Sequence, residues 1–481
     1  MDQINGISHF PSWDIQDEKR MDKLFTETLN KSKVKIVVLD DDPTGIQTVH
    51  GIYVYTNWGE ESFRAGFAND DRVFYILTNS RAMSEQETRK IHEWIGDRIC
   101  QIAQETDQSF LLVSRSDSTL RGHFPLETQT LADALKHHDM PVDGEIICPA
   151  FFEGGRYTFN ETHYVRQGDK LIPAAHTEFA KDPFFGYTNS HLPHYIEEKT
   201  KGDYAAGDVV VISLEQLRSK DTQKIVDILM TAQGFAKYCV EAIEYSDLRV
   251  FAIALYQAMA GGKRFIVRSA ASLVKALGHF PQKELLTKED LVLGSETSGG
   301  LIMVGSYTEK STSQVEEWKT HPMVEAVHIR IAELIKDNAE YRKEKDRCVE
   351  EAKEIMLKGK TAVCYTTRGD VFDNKEYSEQ QKRDISLRIR RALIDIVKAI
   401  HLRPKFVVAK GGITSSDIGV EALGVAKAFV LGQVQPGVPV WKTDAESRMP
   451  NIPYIIFPGN VGEEHALLDF MRIMYPECKD S

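Results

Sequence analysis

The chain has 481 residues, more than one ordinary hydrophobic core accommodates, which predicts two or three domains. Hydrophobic residues make up 42% of the chain and charged residues 27%, a balance typical of globular rather than disordered proteins. The net charge of −12, from 59 Lys and Arg against 71 Asp and Glu, disfavours a general nucleic-acid binder, which would carry a basic surplus.

The sequence predicts a cytoplasmic protein. Residues 1–31 are polar and mixed in charge, without the apolar core of a secretory signal. No run approaches the roughly 18 apolar residues of a membrane span. The six cysteines are scattered, with no spacing typical of a zinc site, so we expect reduced thiols and neither disulfides nor zinc.

Short apolar runs alternate with longer helical patterns, which is typical of α/β architecture with mainly parallel sheets flanked by helices. In the first half, helices are predicted over Ser84–Gln104, Thr222–Gln233 and Ser246–Ala260, the first opened by a Ser-x-x-Glu capping box. Residues 160–193 break this rhythm and predict a hairpin or a long substrate-facing excursion. The predicted strands of this half are Lys35–Leu39, Val73–Leu77, Phe110–Val113, Glu145–Cys148, Val209–Ile212 and Arg264–Val267.

The polar, Gly- and Ser-rich segment Pro281–Ser298 predicts a domain boundary, after which the alternation restarts. A long charged helix is predicted over Ile331–Leu357. Its apolar positions do not sustain heptads, so we expect a packed helix with a solvated face rather than a coiled-coil arm. Further helices are expected near Glu309–Lys319 and over Glu379–Ile400. The predicted strands of this half are Leu301–Val304, Thr361–Tyr365, Phe406–Ala409, Ala428–Leu431 and Tyr454–Phe457.

Three consecutive acids, Asp40, Asp41 and Asp42, directly follow the first predicted strand and lead into Pro-Thr-Gly. In open α/β sheets, ligands bind at the carboxyl ends of the strands. Adjacent like charges repel, which favours a functional role over a plain turn or helix cap. A carboxylate at this edge can bind substrate hydroxyls, accept a proton or help to hold Mg²⁺.

Three more polar loops follow predicted strands of the first half, and each supplies an arginine. The loop after Phe110–Val113 reads Ser-Arg-Ser-Asp-Ser-Thr-Leu-Arg-Gly-His, and such Arg, Ser and Thr side chains are suited to an anion seat. A capped helix start with surface charges is the alternative for this loop. The other two contain Thr-Asn-Ser-Arg, after Val73–Leu77, and Gly-Gly-Arg, after Glu145–Cys148. We expect all of them to share one sheet edge with the acidic turn.

The second half contains three turns rich in small residues, each after a predicted strand. They read Gly-Ser-Tyr-Thr, Lys-Gly-Gly-Ile-Thr-Ser-Ser and Pro-Gly-Asn-Val-Gly. Glycines let backbone N–H groups approach phosphate oxygens, so the three turns together indicate a nucleotide cradle, although each alone is an ordinary connection. Neither a P-loop nor the Gly-x-Gly-x-x-Gly fingerprint of a Rossmann dehydrogenase occurs.

These loops, in this order, resemble the four-carbon acid sugar kinase family. The family's Ala-Asp-Asp-x-Thr-Gly turn is matched by Asp41–Gly45, and its Asp-Ser-Thr-Leu-Arg-Gly block is reproduced in full by Asp117–Gly122. Partial matches are found at Thr78–Arg81 and Pro149–Thr158. In the second half the resemblance covers Gly305, Ser306 and Gln314, Gly411–Ser415, Gly437–Pro439 and Gly459–Gly462, and it extends from about Val34 to Met474.

The resemblance implies a kinase with its active site in the cleft between two α/β domains. It implies an N-terminal extension (1–33), a substrate-binding domain (34–285) and a nucleotide-binding domain (286–481). The family transfers the γ-phosphoryl group of ATP, with Mg²⁺, to the terminal hydroxyl of threonate, erythronate or 3-oxo-tetronate. The expected partners are a small sugar acid and ATP, with no nucleic acid or membrane. A homodimer is one candidate assembly.

The resemblance also implies the site residues. Asp41 and Asp42 are the expected catalytic residues, orienting hydroxyls, with Asp42 preferred as the base; Arg81, Arg121 or Arg156 would bind the substrate carboxylate. The metal ligands are not identified. The expected substrate-binding set is Thr44, Gly45, Ser80, Arg81, Asp117, Ser118, Thr119, Arg121 and Arg156, and the expected nucleotide-binding set is Ser306, Gly411, Gly412, Ile413, Thr414, Ser415 and Gly459.

Two departures from the family pattern indicate a divergent branch. Pro43 replaces the usual Leu of the acidic turn, and Ile413 replaces the Glu of the Gly-Gly-Glu-Thr-Ser element. A branched or five-carbon substrate such as 3-oxo-isoapionate therefore stays open. The alternatives to a kinase are an NAD-dependent hydroxy-acid dehydrogenase, which lacks its fingerprint here, and a non-catalytic effector protein that binds sugar acids.

Overall fold

Alternating strands and helices build two units, Met1–Pro281 and Gln282–Ser481, in a computed structural model of the chain. The structure describes residue 10 and residues 12–294, 297–305, 314, 317–318, 321–366, 377–458 and 465–478. Each unit contains mainly parallel strands flanked by helices, so the prediction of an α/β protein with two domains is confirmed.

The first unit is built on parallel strands. Its strands are β1 (Lys35–Asp40), β2 (Tyr53–Tyr55), β3 (Val73–Leu77), β4 (Phe110–Arg115), β5 (Gly144–Cys148), β6 (Arg156–Phe159), β7 (Thr162–Gln167), β8 (Lys170–Pro173), β9 (Val210–Ile212), β10 (Ala236–Val240) and β11 (Phe265–Ser269). The order β2-β3-β1-β4-β11-β5-β10-β9 is parallel throughout. Strands β6, β7 and β8 form a small antiparallel sheet. Of the two alternatives predicted for residues 160–193, a hairpin or a long excursion, this sheet corresponds to the hairpin.

Helices cover the parallel strands, whose apolar runs are buried on both faces. The helices are α1 (Ile15–Lys31), α2 (Glu60–Ala68), α3 (Glu85–Glu105), α4 (Leu126–His137), α5 (Leu192–Lys199), α6 (Leu214–Arg218), α7 (Thr222–Met230), α8 (Tyr245–Ala260) and α9 (Ala271–Leu277). The predicted capping box opens α3: Ser84 Oγ accepts the Glu87 N–H at 3.3 Å and Glu87 Oε2 accepts the Ser84 N–H at 2.9 Å.

The register of the strands sets the position of the loops that follow them. Asp40, the last residue of β1, lies opposite Leu77 at the end of β3 and opposite Arg115 at the end of β4. Ser269 of β11 lies in register with Arg115 and with Cys148 of β5. The carboxyl ends of five strands are therefore level, and the loops after β1, β3, β4 and β5 leave from one edge.

The second unit also has a mainly parallel sheet. Its elements are α10 (Lys288–Leu291), β12 (Leu301–Val304), β13 (Val324–Ile329), α11 (Ile331–Lys336), α12 (Asn338–Leu357), β14 (Thr361–Thr366), α13 (Glu379–Ala399), β15 (Val407–Lys410), α14 (Gly412–Asp417), β16 (Lys427–Gln435), β17 (Val438–Lys442), β18 (Pro453–Phe457) and α15 (Ala466–Met474). The order is β13-β14-β12-β15-β18-β17-β16, parallel from β13 to β18 and antiparallel thereafter.

Two sequence expectations for the second unit need correction. The helix predicted over Ile331–Leu357 is broken at Asp337, whose extended backbone and side chain cap α12 through the N–H groups of Ala339 and Glu340. The strand predicted at Ala428–Leu431 is the long β16, which turns back into the unpredicted β17. The helix expected near Glu309–Lys319 lies largely outside the described residues.

The described part of the chain contains no candidate for a membrane-spanning helix. None of its helices has both the length and the apolar character needed to cross a bilayer.

A buried ion pair gives a test of the fold. Lys237 Nζ of β10 lies 2.6 Å from Glu145 Oε2 of β5, and both side chains are almost completely buried. Because Glu145→Ala leaves the Lys237 ammonium buried without its carboxylate, we expect a loss of about 3–5 kcal/mol in the free energy of unfolding, measured by urea denaturation. The control Glu105→Ala, which removes the exposed partner of Arg64, should change little; equal effects would contradict the prediction.

Candidate active site

Charged side chains from the loops after β1, β3 and β4 meet at the carboxyl edge of the first unit. Arg81 contacts three carboxylates: Asp41 at 2.5 Å, Asp42 at 3.5 Å and Asp117 at 3.8 Å. The sequence placed these residues in separate loops, and the structure brings them together as one cluster. We call Asp42, Arg81, Asp117, Arg121 and Asp182 the charge chain, because acid and base alternate along it.

Asp41 lies beneath this chain and is almost completely buried. Arg81 binds both of its carboxylate oxygens, Nε at 3.1 Å and Nη2 at 2.5 Å, and Ser116 Oγ donates to Oδ2 at 3.2 Å. Its observed contacts therefore hold Arg81 in place. The predicted role of Asp41 in orienting substrate hydroxyls stays a prediction.

Asp42 is the more accessible acid of the turn, with 19% of its side chain exposed. It caps the short 3₁₀ turn Pro43–Ile46, because Oδ1 accepts the Thr44 N–H at 2.8 Å and the Thr44 hydroxyl at 2.5 Å. Its Oδ2 faces Arg81 at 3.5 Å. The carboxylate is thus fixed by Oδ1, whereas Oδ2 has only an ionic contact at 3.5 Å among the described residues and the side chain is partly exposed, which is compatible with a general base.

The Asp40 side chain packs against Gly45, which explains why the acidic turn needs a glycine at that position. A Cβ on Gly45 would lie 2.0 Å from the Asp40 carboxylate oxygens, so no larger residue fits. Asp40 itself is buried, and burial raises its pKa to about 8, although Arg115 lies 3.6 Å away. Gly45, predicted to bind substrate, has in this structure a packing role inside the turn.

Asp117 and Arg121 form the middle of the charge chain. Arg121 Nε donates to Asp117 Oδ2 at 2.8 Å, and its Nη1 lies 3.7 Å from Asp182. Burial alone would raise the pKa of Asp117, but Arg81 and Arg121 outweigh burial and hold that pKa well below its usual range. Asp117 is therefore a permanent carboxylate rather than a group that exchanges protons.

Side chains from elsewhere fix the backbone of the loop after β4. Its successive carbonyl oxygens accept hydrogen bonds from donors that sequence reasoning did not identify, although three of them belong to the predicted excursion or its edge. The pairs are Ser118 with His163 Nε2 (2.8 Å), Thr119 with the Tyr187 hydroxyl (2.7 Å), Leu120 with the Tyr195 hydroxyl (2.8 Å) and Arg121 with Arg268 Nη2 (3.2 Å).

The neutral state of His163 follows from its surroundings. Burial lowers its pKa to about 4, and its Nε2–H donates to a carbonyl, so its Nδ1 accepts from the Thr158 hydroxyl at 2.9 Å. Three of the four donors that hold the loop are thus neutral, and the fourth is the guanidinium of Arg268.

Glu127 forms a second buried centre under the site. Its carboxylate accepts the Ser80 hydroxyl at 2.6 Å and lies 3.4 Å from Arg268 and 3.9 Å from His92. Ser80 is fully buried, Thr119 is almost fully buried, and Ser118 is 8% exposed. The structure therefore does not place these three predicted substrate-binding residues on the exposed surface of the site.

Arg156 differs from the other arginines of the site. Among the described residues, no carboxylate lies within 4 Å of its guanidinium, and its buried Nε has no hydrogen-bond partner. Its Nη1 donates to the Gly154 carbonyl, and its guanidinium lies 5.8 Å from the centre of the Phe179 ring, which also faces Arg121 at 5.0 Å. Arg156 is accordingly the cation most available to an incoming anion.

The strands β12, β15 and β18, each of which precedes a small-residue turn in the sequence, end at a common carboxyl edge of the second unit. Val304 of β12 and Phe457 of β18 are both in register with Lys410 of β15. Gly411 has a φ of 112°, and a Cβ on Gly305 would lie 2.0 Å from Thr414 Oγ1. Both positions therefore require glycine.

The predicted nucleotide-binding residues have different surroundings. Ile413 is 55% exposed at the start of α14, whereas Ser415 is buried and donates to the Ala409 carbonyl at 2.8 Å. Gly411, Gly412 and Thr414 lie in the same turn, whereas Ser306 and Gly459 lie outside the described residues.

A preformed metal site is not found in the described residues, where no group of three or more His, Cys, Asp or Glu could hold an ion. Mg²⁺ is commonly bound by one or two carboxylates together with substrate phosphates, so a site of that kind would not require such a group. The part-exposed Asp42 is compatible with it.

Most of the chain matches one of two family models in sequence. Residues 36–277 match a sugar-binding N-terminal domain and residues 301–467 match a nucleotide-binding C-terminal domain. The chain belongs to the four-carbon acid sugar kinase family. It is 24% identical to a D-threonate kinase of Salmonella typhimurium LT2 over 463 residues, which cover 93% of this chain and all of the relative.

Solved structures show the same fold. A Salmonella typhimurium LT2 protein described as a candidate tRNA synthase superposes with a TM-score of 0.66 at 15% identity, over 91% of this chain and 99% of its own. A Haemophilus influenzae protein of the DUF1537 family gives 0.60 at 19% identity, over 91% and 100%. At these identities the likeness concerns the fold alone.

Family membership confirms the prediction of an ATP-dependent sugar-acid kinase, a phosphotransferase with an alcohol group as acceptor. It favours this activity over the dehydrogenase and the non-catalytic effector.

The raised pKa of Asp40 predicts a pH-dependent stability. Between the ordinary carboxyl pKa of 3.8 and the folded value of about 8, the folded chain holds the extra proton, so this group's contribution to the free energy of unfolding falls as pH rises. In urea denaturation from pH 5.5 to 7.5, Asp40→Asn should gain stability relative to the parent by up to about 1.4 kcal/mol per pH unit. A difference that is independent of pH, as expected for the exposed control Asp70→Asn, would contradict this.

Proposed function

We propose that the protein phosphorylates the terminal hydroxyl of a small sugar acid, using ATP and Mg²⁺. The observation that carries the proposal is the charge distribution at the carboxyl edge of the first unit. Each inner member of the charge chain has partners on both sides, whereas Asp42 has one ionic contact at 3.5 Å and Arg156 has no carboxylate partner among the described residues.

These two groups match the two ends of a sugar acid. A guanidinium without a carboxylate binds the substrate carboxylate bidentately. A carboxylate held by one oxygen accepts the proton of the attacking hydroxyl. Arg156 is thus favoured over Arg81 and Arg121, which already bind Asp41 and Asp117, respectively. Asp42 is favoured over Asp41 as the base, because Asp41 is buried under Arg81.

The reaction then follows from alignment and charge neutralisation. The substrate hydroxyl loses its proton to Asp42 as its oxygen attacks the γ-phosphorus of ATP, the bond from that phosphorus to the β–γ bridging oxygen breaks, and ADP leaves. Arg81 neighbours Asp42 and keeps the cluster near neutrality. The loop after β4, which carries Asp117 and Arg121, is already fixed by hydrogen bonds to its backbone, so little free energy is needed to order this part of the site.

ATP is assigned to the turns of the second unit. The close approach of Gly305 to Thr414 and the positive φ of Gly411 leave backbone without side chains at this edge, as a phosphate site requires. Mg²⁺ would neutralise charge on the phosphates, whose own oxygens supply ligands for it, and its protein ligands stay unassigned. Domain bounds of 34–285 for the sugar acid and 286–481 for the nucleotide, a site in the cleft between them, a homodimer and a cytoplasmic location stay predictions.

The substrate is proposed as a class. Threonate is favoured by the name of the Salmonella relative, and erythronate and 3-oxo-tetronate share its carboxylate and terminal hydroxyl. Pro43, next to Asp42, replaces the Leu that is usual in the family, and this departure keeps the branched acid 3-oxo-isoapionate among the proposed substrates. An ADP-release assay with Mg-ATP and these four acids tests the proposal; no release above the acid-free rate with any of them would reject it.

Replacing the base should affect turnover. Asp42→Asn keeps an oxygen for the Thr44 bonds but cannot accept a proton, so we expect kcat to fall about 10²- to 10⁴-fold with the KM for the sugar acid within a few-fold of the parent. Steady-state ADP release measures both. Asp133→Asn, at an exposed position of α4, is the control, and a kcat within a few-fold of the parent would remove Asp42 from the base role.

Replacing the carboxylate seat should affect binding instead. Arg156→Ala removes a charge-assisted interaction, and we expect the KM for the sugar acid to rise by about 10- to 100-fold with an unchanged KM for ATP. Arg166→Ala, which alters an exposed arginine on the neighbouring strand β7, is the matched control. If the KM stays unchanged in Arg156→Ala, the seat lies at Arg121 or Arg81.

A further inference from the structure

A lysine is completely buried at the carboxyl edge of the second unit. Lys410 is the last residue of β15 and has no exposed surface. Removing an ammonium from water costs several kcal/mol, so buried lysines are rare unless the surrounding groups or the function require them. The position is at the proposed nucleotide site, directly before Gly411.

The contacts of Lys410 connect the ends of the three strands that precede those turns. Its Nζ donates to the Pro458 carbonyl at 3.1 Å, just after β18, and lies 4.5 Å from the centre of the Phe457 ring. Its own carbonyl accepts the Gly305 N–H at 3.2 Å, just after β12. One residue thus joins the ends of β12, β15 and β18.

The direction of the side chain places its charge at the edge rather than in the middle of the sheet. Phe457 is in register with Lys410 on the neighbouring strand, and Pro458 is the first residue beyond β18. An ammonium that reaches the Pro458 carbonyl therefore lies level with the start of the turn. In a medium of low dielectric constant, a positive charge at that place acts strongly on phosphate groups bound above it.

We propose that Lys410 is a positioning residue of the nucleotide site whose buried charge favours nucleotides with more phosphate groups. This inference rests on the proposed function, because it needs a nucleotide at the turns of the second unit. Lys410 has no exposed surface in this structure, so it acts on the phosphates through the field of its charge and through the turn that it holds, not by direct contact.

Binding of AMP and ADP to the full-length protein, measured by calorimetry without sugar acid, tests the inference. In Lys410→Met the affinity for ADP should fall by about tenfold and that for AMP by less than about threefold, since the charge acts on more phosphate in ADP. Lys410→Gln keeps a donor for Pro458 but has no charge, and the same selective loss is expected. The Lys410→Gln variant also serves as the test if Lys410→Met does not fold.

Lys405→Met is the matched control, because Lys405 lies just before the opposite end of β15, near the Tyr475 ring, and its replacement should leave both affinities unchanged. Equal losses for AMP and ADP in the Lys410 variants, or an ADP affinity like that of the parent in Lys410→Gln, would overturn the inference alone. If the parent protein binds neither ADP nor ATP, the proposed function fails and this inference fails with it.

Discussion

Arg81 and Asp41 form the interaction on which the candidate active site depends. The pair joins the loop after β3 to the loop after β1, with two hydrogen bonds in a nearly dry environment. Arg81 also lies near Asp42 and Asp117, so its charge is shared among three carboxylates. Removing it would leave several acids uncompensated at once, which would destabilise the site. The guanidinium thus links the acidic turn to the loop after β4 through its contacts with Asp42 and Asp117.

The surrounding fold makes that cluster possible. The strands end level with each other, which brings acids and arginines from distant parts of the sequence into contact. Neutral donors such as Tyr187, Tyr195 and His163 then fix the backbone of the loop after β4 from below. The backbone that carries the charge chain is therefore held by hydrogen bonds within the protein itself, so the site is organised before any ligand arrives.

Much of this arrangement could be predicted from the sequence because local signals were strong. The strand Val73–Leu77 and the capping box at Ser84 are as predicted, since apolar runs and cap residues determine them within a few residues. The break at Asp337 was missed because the helical pattern continues across it, and only the cap geometry shows it. Strand β17 was missed because it contains Pro439, and a proline inside a short apolar run argues against a strand, although the Pro-Gly pair before it marks a turn.

The site was predictable as a set of loops but not as a set of contacts. Arg81, Arg121 and Arg156 were equivalent in the sequence, and their partners are decided by tertiary packing. The burial of Ser80 under Glu127 could not be read from its motif, because Glu127 belongs to a helix 47 residues further along the chain. Lys410 gave no signal at all, since a lysine at a strand end is usually exposed.

The acidic turn also bears on the charge of the protein. Three aspartates in a row suggest three negative charges, and the net charge of −12 counts all of them. Since the pKa of Asp40 is about 8, it is mostly an uncharged acid at neutral pH. Asp41 and Asp42 then stand opposite Arg81 and Arg115, and the local sum is close to zero. An anionic sugar acid thus approaches a nearly neutral surface, whereas a potential map drawn from the residue letters alone would make this turn more negative than it is.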